Sequence, residues 1–482
     1  MVFKQCLFLL FTSIIVCSYG QCIQQYIPIK KAEKQNKEEL KSFVKQNYTA
    51  SLKKIPASEY KDKVREAYED KYKFMTALID SGDYYFDDTL YPYFQNILKT
   101  IQQYNPELNR PEIRLYISRY TFPNAFCVGE GSIVFNIGLL RYLESESQIA
   151  FVLCHELAHY QQNHVFNELN GVLAKLYSKD SQAKLKEIQA GEYYVNKKVM
   201  EMLKGITFDT RRHSRYKESE ADSLGLKYLL NTPYAAADIP TFMVILDSID
   251  QEKYRDSILL NNFFNFESYP FKTSWLQDDK SFMLVKDTVN QAEKDSLKTH
   301  PDCMHRKAAI ESILNVAVAS GRSKFIQPES LFHQLVFKSD FECIENRYNY
   351  ENIDGSLYLI LKLLKKYSDN NYLHVMLGKC LNKVCEGLRE HKLSHYINLP
   401  SPFDEGDYKV LNKFLNAISL SEANKIYYSY MNQNLKACQY NEDFLYYAWL
   451  SAGAAQNESR KKELADSYKS KFPKGKYIQL IH

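Results

Sequence analysis

Glycine, proline and net charge are all scarce in this chain of 482 residues. It contains 16 glycines and 14 prolines, which predicts a mostly helical protein with few tight turns. The formal net charge is only +4, so bulk electrostatics give no support to nucleic-acid binding. Beyond the N-terminus no apolar run reaches the roughly eighteen residues of a membrane helix. We therefore expect no transmembrane segment in the mature chain.

Residues 1–20 have the pattern of a secretory signal peptide. Lys4 supplies a positive charge, an apolar run follows from Leu7 to Val16, and the small residues Ser18 and Gly20 precede the expected cleavage site. The apolar run has about ten residues, whereas roughly twenty are needed to span a bilayer. This length favours a cleaved signal over the alternative, a retained membrane anchor.

Export makes disulfides and lipid attachment chemically accessible. Acylation of Cys17 or Cys22 is an alternative to simple cleavage, although neither cysteine follows a convincing recognition sequence. The pairing of the remaining cysteines cannot be deduced from sequence, and buried thiols are the simpler expectation, above all for Cys154. We expect a location in the periplasm or cell envelope, with secretion or lipid anchoring as the less favoured alternatives.

Changes in sequence periodicity predict the domain organisation. Residues 21–110 are Lys- and Glu-rich with helical spacing of their apolar positions. Residues 111–326 begin with short strands and continue as helices, which predicts a mainly α chain with an α+β catalytic core and a short antiparallel sheet. Residues 327–482 have the pattern of helical hairpins, with units of about 34 residues typical of degenerate tetratricopeptide-like repeats. Residues 250–298 form a polar and aromatic connection, either a lid or an ordered wrap over the core.

The spacing of apolar residues also places the elements within residues 111–326. The predicted strands are Ile113–Ile117, Ala125–Val128 and Ser132–Asn136. The predicted helices are Ser147–Asn167, Ser214–Leu230, Pro240–Ile249 and Arg306–Val318.

Two histidines four residues apart carry the main functional signal. They belong to the segment His155-Glu156-Leu157-Ala158-His159, and on a helix both rings project from one face. Two neutral imidazoles at this spacing can occupy two corners of a tetrahedral zinc site. Glu156 can then act as general base on a zinc-bound water and pass the proton to the leaving amine. Because so short a pattern arises by chance in many chains, a third ligand decides the matter.

The third ligand separates two kinds of zinc peptidase. A metzincin needs histidine at position 165, where Val165 stands, and His164 is one residue short of that spacing. For His164 we favour a position at the surface or behind the ligands. A gluzincin needs a glutamate on a second helix, and Glu218 offers one; Asp222, four residues on, shares its helix face and can orient a ligand histidine. A solvated acidic helix face is the alternative for this stretch.

Four blocks of sequence, in order, resemble the HtpX/BepA-like family of gluzincin zinc metallopeptidases. The matching residues are Asn124-Ala125-Phe126 with Gly131 and Asn136-Ile137-Gly138-Leu139-Leu140, His155–His159 with His164, Ser214-Arg215 with Glu218, Glu220-Ala221-Asp222 and Gly225, and His300-Pro301 with Arg306. The resemblance covers residues 112–320 and favours the soluble exported members with a helical tail, because the integral-membrane members carry transmembrane helices.

The resemblance implies one Zn²⁺ per chain, bound by His155, His159 and Glu218, with Glu156 as base. It also implies that His300 and Arg306 lie near the metal. The histidine would serve either as a transition-state stabiliser or as an inhibitory fourth ligand. The strand at Asn124-Ala125-Phe126 is implied to bind substrate as an added strand.

These observations predict an exported zinc-dependent metalloendopeptidase that hydrolyses unfolded or misassembled envelope proteins in protein quality control. Its partners would be protein or peptide substrates and, through the C-terminal helices, envelope assembly machinery, but not nucleic acid. The alternative hypothesis is a chaperone or assembly factor that acts through its tetratricopeptide-like tail and keeps the peptidase site latent. A zinc-binding domain without activity is a third hypothesis.

Overall fold

The computed structural model describes residues 26–31, 34–55, 60–190, 215–249, 259–277, 302–315, 322–401, 404 and 406–481. The chain divides into two compact units. The first, here the core unit, comprises Ile29–Asp250 and Asp295–Asp340; the second, the helical unit, comprises Phe341–His482 with Gln251–Lys294 and Met1–Pro28. The predicted signal peptide and His300 lie outside the described residues.

Helices make up most of both units. In chain order they are α1 Lys34–Lys54, α2 Lys61–Ser81, α3 Leu90–Tyr104, α4 Ile137–Leu140, α5 Glu146–Gln161, α6 His164–Leu176, α7 Lys179–Ala190, α8 residues 215–231, α9 Ile239–Ile249, α10 Asn261–Phe264, α11 Cys303–Leu314, α12 Glu329–Asn349, α13 Ile353–Lys366, α14 Asn371–Arg389, α15 Gly406–Ala417, α16 Leu420–Cys438, α17 Glu442–Ala454 and α18 Glu458–Lys471. The predicted mainly α fold with a small sheet is confirmed.

The sheet of the core unit is mixed, so the prediction of an antiparallel sheet was wrong. Its strands are β1 Arg114–Ser118, β2 Ala125–Cys127 and β3 Ser132–Asn136, in the order β1-β3-β2. β2 and β3 form an antiparallel pair, whereas β1 runs parallel to β3. The reason is the connection over residues 119–124, which carries the chain past the position of β3 and leaves β1 and β3 pointing the same way.

The two edges of this sheet differ in what covers them. At the β1 edge, Tyr84 forms a bridge with Ser118, and the N–H of Tyr85 donates to the carbonyl of Ile117 at 2.7 Å. At the β2 edge, no further strand pairs within the described part of the chain. Within these residues β2 is therefore an edge strand of the sheet.

A break interrupts the helix that the sequence predicts over Ser147–Asn167. α5 ends at Gln161, and α6 begins at His164. Between them Asn163 has a left-handed backbone with φ 51°, a conformation that asparagine tolerates better than most residues. The prediction of a single long helix was therefore wrong, because the spacing of apolar residues gives no sign of this turn.

The N-terminal helices pack into the core unit. Leu40 and Val44 of α1 share a buried cluster with Met75 of α2 and with Tyr116 and Val134 of the sheet. A second cluster joins α1 and α2 to the apolar face of α6. These helices therefore support the sheet and the segment that follows α5.

The helical unit contains the helices that the sequence predicts for this region, α13 to α18. α13 packs on α14 and α17 on α18, whereas α15 packs on α13 and α16 on α14. Side-chain caps start several of these helices: Asn370, Asn441 and Asn457 each accept a bond from a backbone N–H of the first turn. Their tetratricopeptide-like character remains a prediction. No helix in the described residues is both long and apolar enough to cross a bilayer.

Part of the predicted connection 250–298 packs onto this helical unit. The ring of Phe264 stacks on Phe414 of α15 with centroids 5.4 Å apart, and Trp275 meets the same ring edge-on at 5.7 Å. The described residues of the connection are thus an ordered wrap, although the expectation placed such a wrap over the core. The wrap covers the C-terminal helices.

Candidate metal centre

A network of buried polar groups fixes the start of α5. Ser145 caps the helix by accepting a bond from the N–H of Gln148. Glu146 is fully buried, and its carboxylate accepts bonds from the hydroxyls of Tyr93 at 3.0 Å and Tyr234 at 2.5 Å and from the N–H of Gln327 at 3.0 Å. These bonds satisfy a carboxylate that would otherwise be costly to bury. Sequence reasoning missed this network, since its members are far apart along the chain.

Three potential metal ligands converge beyond that buried start. The Nε2 atoms of His155 and His159 lie 3.0 Å apart. The Glu218 carboxylate approaches them from α8, with Oε2 3.5 Å from His155 Nε2 and Oε1 3.4 Å from His159 Nε2. The structure thus brings together the residues that the sequence predicted as ligands.

The spacing of these atoms fits a zinc ion. Zinc bonds to histidine nitrogen and carboxylate oxygen at about 2.0–2.2 Å in tetrahedral sites, which places neighbouring ligand atoms about 3.3 Å apart. The observed separations of 3.0–3.5 Å bracket that value. Two imidazole nitrogens and one carboxylate are also the donor set of catalytic zinc sites that keep a position open.

A buried ion pair holds Asp222 behind His155. The Nδ1 atom of His155 lies 3.0 Å from Asp222 Oδ1. The guanidinium of Arg306 donates to both oxygens of Asp222, at 2.6 and 2.8 Å, and its Nη1 lies 3.2 Å from Glu218 Oε2. Arg306 thus sits behind the two carboxylates. Its predicted catalytic role stays a prediction, and the contacts favour a positioning role.

His159 is supported in a different way. Its Nδ1 atom lies 3.0 Å from Nδ1 of His164, and Nε2 of His164 lies 3.1 Å from Glu220 Oε2. His164 is 4% exposed, so it lies behind the ligands, one of the two positions favoured for it. Sequence reasoning did not single out Glu220. The available signal was its place in the block with Glu218 and Asp222, which gave it no role of its own.

The charges of the cluster are strongly coupled. Burial opposes ionisation of Glu218, but the two facing imidazoles and Arg306 outweigh it and hold the pKa of Glu218 well below its ordinary value. Burial lowers the pKa of His155, but Asp222 and Glu218 outweigh burial and raise it to about 10. Without metal, a proton on His155 therefore supplies positive charge that the carboxylates require. A metal cation would replace that proton.

Glu156 lies in the same cavity and is 7% exposed. Burial raises the pKa of its carboxyl, although His155 and His159 oppose the shift. A carboxyl whose pKa moves towards neutrality is better matched to general-base chemistry at neutral pH.

The cavity that contains these groups has a volume of about 240 Å³. One wall is the strand Asn124-Ala125-Phe126, which the sequence predicted as substrate-binding. The lining also includes the apolar side chains of Leu139, Phe151, Val152, Phe242, Met243 and Leu246. The site therefore combines a polar centre with an apolar recess.

The backbone groups of β2 that point away from β3 belong to two residues. In the antiparallel pair, the carbonyl of Asn124 accepts from Asn136, and the N–H of Val128 donates to Ser132. Because backbone direction alternates along a strand, the N–H and C=O groups of Ala125 and Cys127 point away from β3. The N–H of Cys127 faces the Glu156 carboxylate, so the outward backbone groups of Ala125 are the ones that remain along this edge.

Comparison with known proteins supports the family resemblance found in the sequence. Residues 94–314 match the family described as peptidase family M48. The chain is 28% identical over 146 residues to the "Beta-barrel assembly-enhancing protease" of Escherichia coli (strain K12), a stretch that covers 27% of each chain. It is 26% identical over 178 residues to the protein of that name from Yersinia pestis, over 35% of this chain and 34% of the relative. The chain thus spans about a third or less of the length of these relatives. Over residues 94–314 the chain carries a metallopeptidase domain of peptidase family M48.

Proposed function

We propose that the chain is a zinc-dependent metalloendopeptidase that hydrolyses peptide bonds of unfolded or misassembled envelope proteins. The observation that carries this proposal is the convergence of His155, His159 and Glu218 around one point, with Glu156 in the same cavity. One zinc ion per chain would be held by those three side chains, with Asp222 and His164 behind the two histidines.

The chemistry follows from the placement of Glu156. Zinc, when bound by the three ligands, polarises a substrate carbonyl and lowers the pKa of water. Glu156 accepts a proton from the attacking water and passes it to the leaving amine, and no covalent intermediate forms. His300 stays a proposed transition-state stabiliser or inhibitory fourth ligand, because it lies outside the described residues.

The shape of the site favours an extended substrate with apolar side chains. A peptide in a folded protein cannot add to the β2 edge, because its backbone groups are already paired. An unfolded segment can pair with Ala125 and place an apolar side chain in the recess that includes Phe151 and Phe242. Apolar segments become exposed when proteins fail to fold or assemble, which supports misassembled proteins as substrates.

Export and partner binding are parts of the same proposal. Export rests on the signal-peptide pattern of residues 1–20. The proposal of envelope proteins as substrates rests on that pattern and on the name of the relatives, which refers to β-barrel assembly. The helix pairs of the helical unit are proposed to bind substrate or assembly machinery, as helical repeat surfaces do.

The test compares cleavage by the wild-type chain with cleavage by Glu156→Gln. The substrate is a reduced, unfolded protein such as casein, and zinc content is measured on the same samples. We expect cleavage by the wild type, at least a hundredfold slower cleavage by Glu156→Gln, and one zinc per chain in both. Glu144→Gln, at an exposed glutamate before α5, is the control and should cleave at the wild-type rate.

Two outcomes would contradict the proposal. Equal cleavage by wild type and Glu156→Gln would remove Glu156 from the mechanism. If the wild-type chain and His300→Ala both bind zinc and neither cleaves the substrate, the alternative functions are favoured. These are a chaperone acting through the helical unit and a zinc-binding domain without activity.

A further inference from the structure

The two ligand histidines must each carry their remaining proton on Nδ1. A neutral imidazole has one N–H and one bare nitrogen, and Nε2 of both His155 and His159 faces the ligand cluster. A metal at this site therefore needs an acceptor at each Nδ1, and that acceptor sets the tautomer and the ring orientation.

The two acceptors are built differently. His155 faces the Asp222 carboxylate, which is 4% exposed and braced by Arg306. His159 faces the Nδ1 atom of another imidazole, His164, at 3.0 Å. A carboxylate is always an acceptor when ionised, whereas an imidazole nitrogen accepts only in one of its two neutral tautomers. The support of His159 therefore depends on what fixes the tautomer of His164.

Glu220 is the group that fixes it. Its Oε2 atom lies 3.1 Å from Nε2 of His164, and a carboxylate at that distance requires a proton on Nε2. Nδ1 of His164 is then bare and accepts from Nδ1–H of His159. In the opposite tautomer, two N–H groups would face each other at 3.0 Å while the carboxylate faced a bare nitrogen.

The backbone around His164 is held in place as well. The left-handed Asn163 ends the preceding turn, so His164 becomes the first residue of α6. The ammonium of Lys217 on α8 donates to the carbonyl of His164 at 3.3 Å. Lys217 and Glu220 are three residues apart and so share one face of α8, whereas Glu218 and Asp222 share another. One face of α8 thus supports His155 and supplies the third ligand, and a second face supports His159.

We propose that Glu220 is a positioning residue of the metal centre, which acts through His164 to hold His159 in the orientation and tautomer that present Nε2 to the metal. The proposal rests on the proposed zinc function of the site. It adds a residue whose side chain is 40% exposed and which touches neither the cavity nor the cluster of ligand atoms.

The test measures zinc affinity of the mature chain by competition with a chromophoric chelator, and the visible spectrum of the Co²⁺-substituted chain. Removal of a carboxylate that orients a ligand histidine typically weakens metal binding by 10–100-fold, so we expect about tenfold weaker zinc binding by Glu220→Gln. The cobalt bands should shift, because the His159 ring is less well oriented. The control is Glu168→Gln, which removes the same charge from a nearby side chain that contacts Lys217 at 3.7 Å and should bind zinc within about twofold of wild type.

A double variant tests whether Glu220 acts through His164. In a His164→Phe background the further change Glu220→Gln should cost nothing, since the acceptor is already gone. Additive losses, or wild-type affinity in Glu220→Gln, would overturn the proposal. If His164→Phe does not fold, rescue by Glu220→Asp decides instead: recovery of at least half of the lost affinity and of the cobalt spectrum supports the proposal, and no recovery overturns it.

The proposed function can fail separately. A wild-type chain that binds one zinc but cleaves no substrate removes the peptidase activity, while the affinity comparison still tests Glu220. A wild-type chain that binds no zinc overturns both.

Discussion

Gly225 of α8 packs directly against the backbone of His155. A Cβ atom built on Gly225 would lie 2.9 Å from the backbone nitrogen of His155 and 3.0 Å from its Cα. These are backbone atoms, so a larger residue can be accommodated only if the two helices move apart. Glu218 and Asp222 lie on the same helix as Gly225, and this close approach is what lets both carboxylates reach the histidines of α5.

We therefore expect Gly225→Ala to disturb the metal centre, although Gly225 is not itself a ligand. The extra methyl should cost about 1–3 kcal/mol of unfolding free energy, as overpacking usually does, and should weaken zinc binding. Urea unfolding and chelator competition measure the two effects. Gly171→Ala is the matched control, because Gly171 lies within α6 and an added Cβ would have no heavy atom within 4 Å. Alanine at this position should raise the free energy of unfolding by up to about 1 kcal/mol. Unchanged zinc affinity in Gly225→Ala would refute the packing argument.

Arg306 supplies positive charge to two buried carboxylates, so its removal should be costly. Arg306→Ala leaves Asp222 and Glu218 without their shared guanidinium, and breaking a buried pair in this way costs about 3–5 kcal/mol. The control is Arg215→Ala, which breaks an exposed pair with Asp302 whose side chains are 53% and 44% exposed and should cost less than about 1 kcal/mol.

Thermal unfolding of the metal-free chains measures both losses. Equal loss in the two variants would mean that Arg306 does not stabilise the carboxylates. Peptidase assays at saturating zinc separate positioning from catalysis: if Arg306 only positions the carboxylates, Arg306→Lys should recover part of the activity with the recovered zinc affinity.

The sequence predicts the metal cluster well because its geometry is local. The four-residue spacing between His155 and His159, and again between Glu218 and Asp222, fixes a shared helix face without knowledge of the rest of the fold. The contact between α5 and α8 belongs to the tertiary structure. In the sequence it was indicated by the family resemblance rather than by residue spacing.

Glu220 shows where local patterns fail. Its partner His164 faces His159 only because Asn163 breaks the helix with a positive φ, and no apolar period records such a turn. The sequence did not predict the parallel pairing of β1 and β3 for a similar reason. Strand order depends on the path of the connection between the strands rather than on the strands themselves. The support of α5 by Glu146, Tyr93 and Tyr234 was likewise hidden in residues far apart in sequence.

The open edge of β2 makes a prediction about substrate binding. Ala125→Pro removes the outward N–H of Ala125, and proline is tolerated on edge strands where the N–H is not used in the sheet. We expect KM for an unfolded polypeptide to rise about tenfold, since one backbone hydrogen bond to substrate is lost and a partner group is left unpaired. Zinc affinity should not change. Ala125→Gly keeps the N–H and is the control. A wild-type KM in Ala125→Pro would exclude strand addition at this position.

The wrap of residues 259–277 onto the helical unit makes a prediction about pH. Glu422 accepts bonds at Oε1 from Lys272 at 2.8 Å and from the indole N–H of Trp275 at 3.0 Å. Burial opposes ionisation, but these bonds and those from Ser419 outweigh it and lower the pKa of Glu422 from 4.5 to about 2. The folded state therefore favours the ionised carboxylate. The stabilisation is complete above the ordinary pKa of 4.5 and is lost as the pH falls from there through about 2.

We expect this contact to contribute of order 1–2 kcal/mol at neutral pH, after allowance for the 23% exposure of the Glu422 side chain. Trp275 reports on the contact directly, and Trp449→Phe leaves it as the sole tryptophan, because the chain contains 2. In that background, urea midpoints followed by fluorescence should fall more between pH 6 and pH 3 for the parent than for Glu422→Gln. Glu458→Gln, whose exposed side chain pairs weakly with Lys461 at 3.9 Å, should keep the pH dependence of the parent. An equal fall in the parent and Glu422→Gln would show that this carboxylate does not hold the wrap in place.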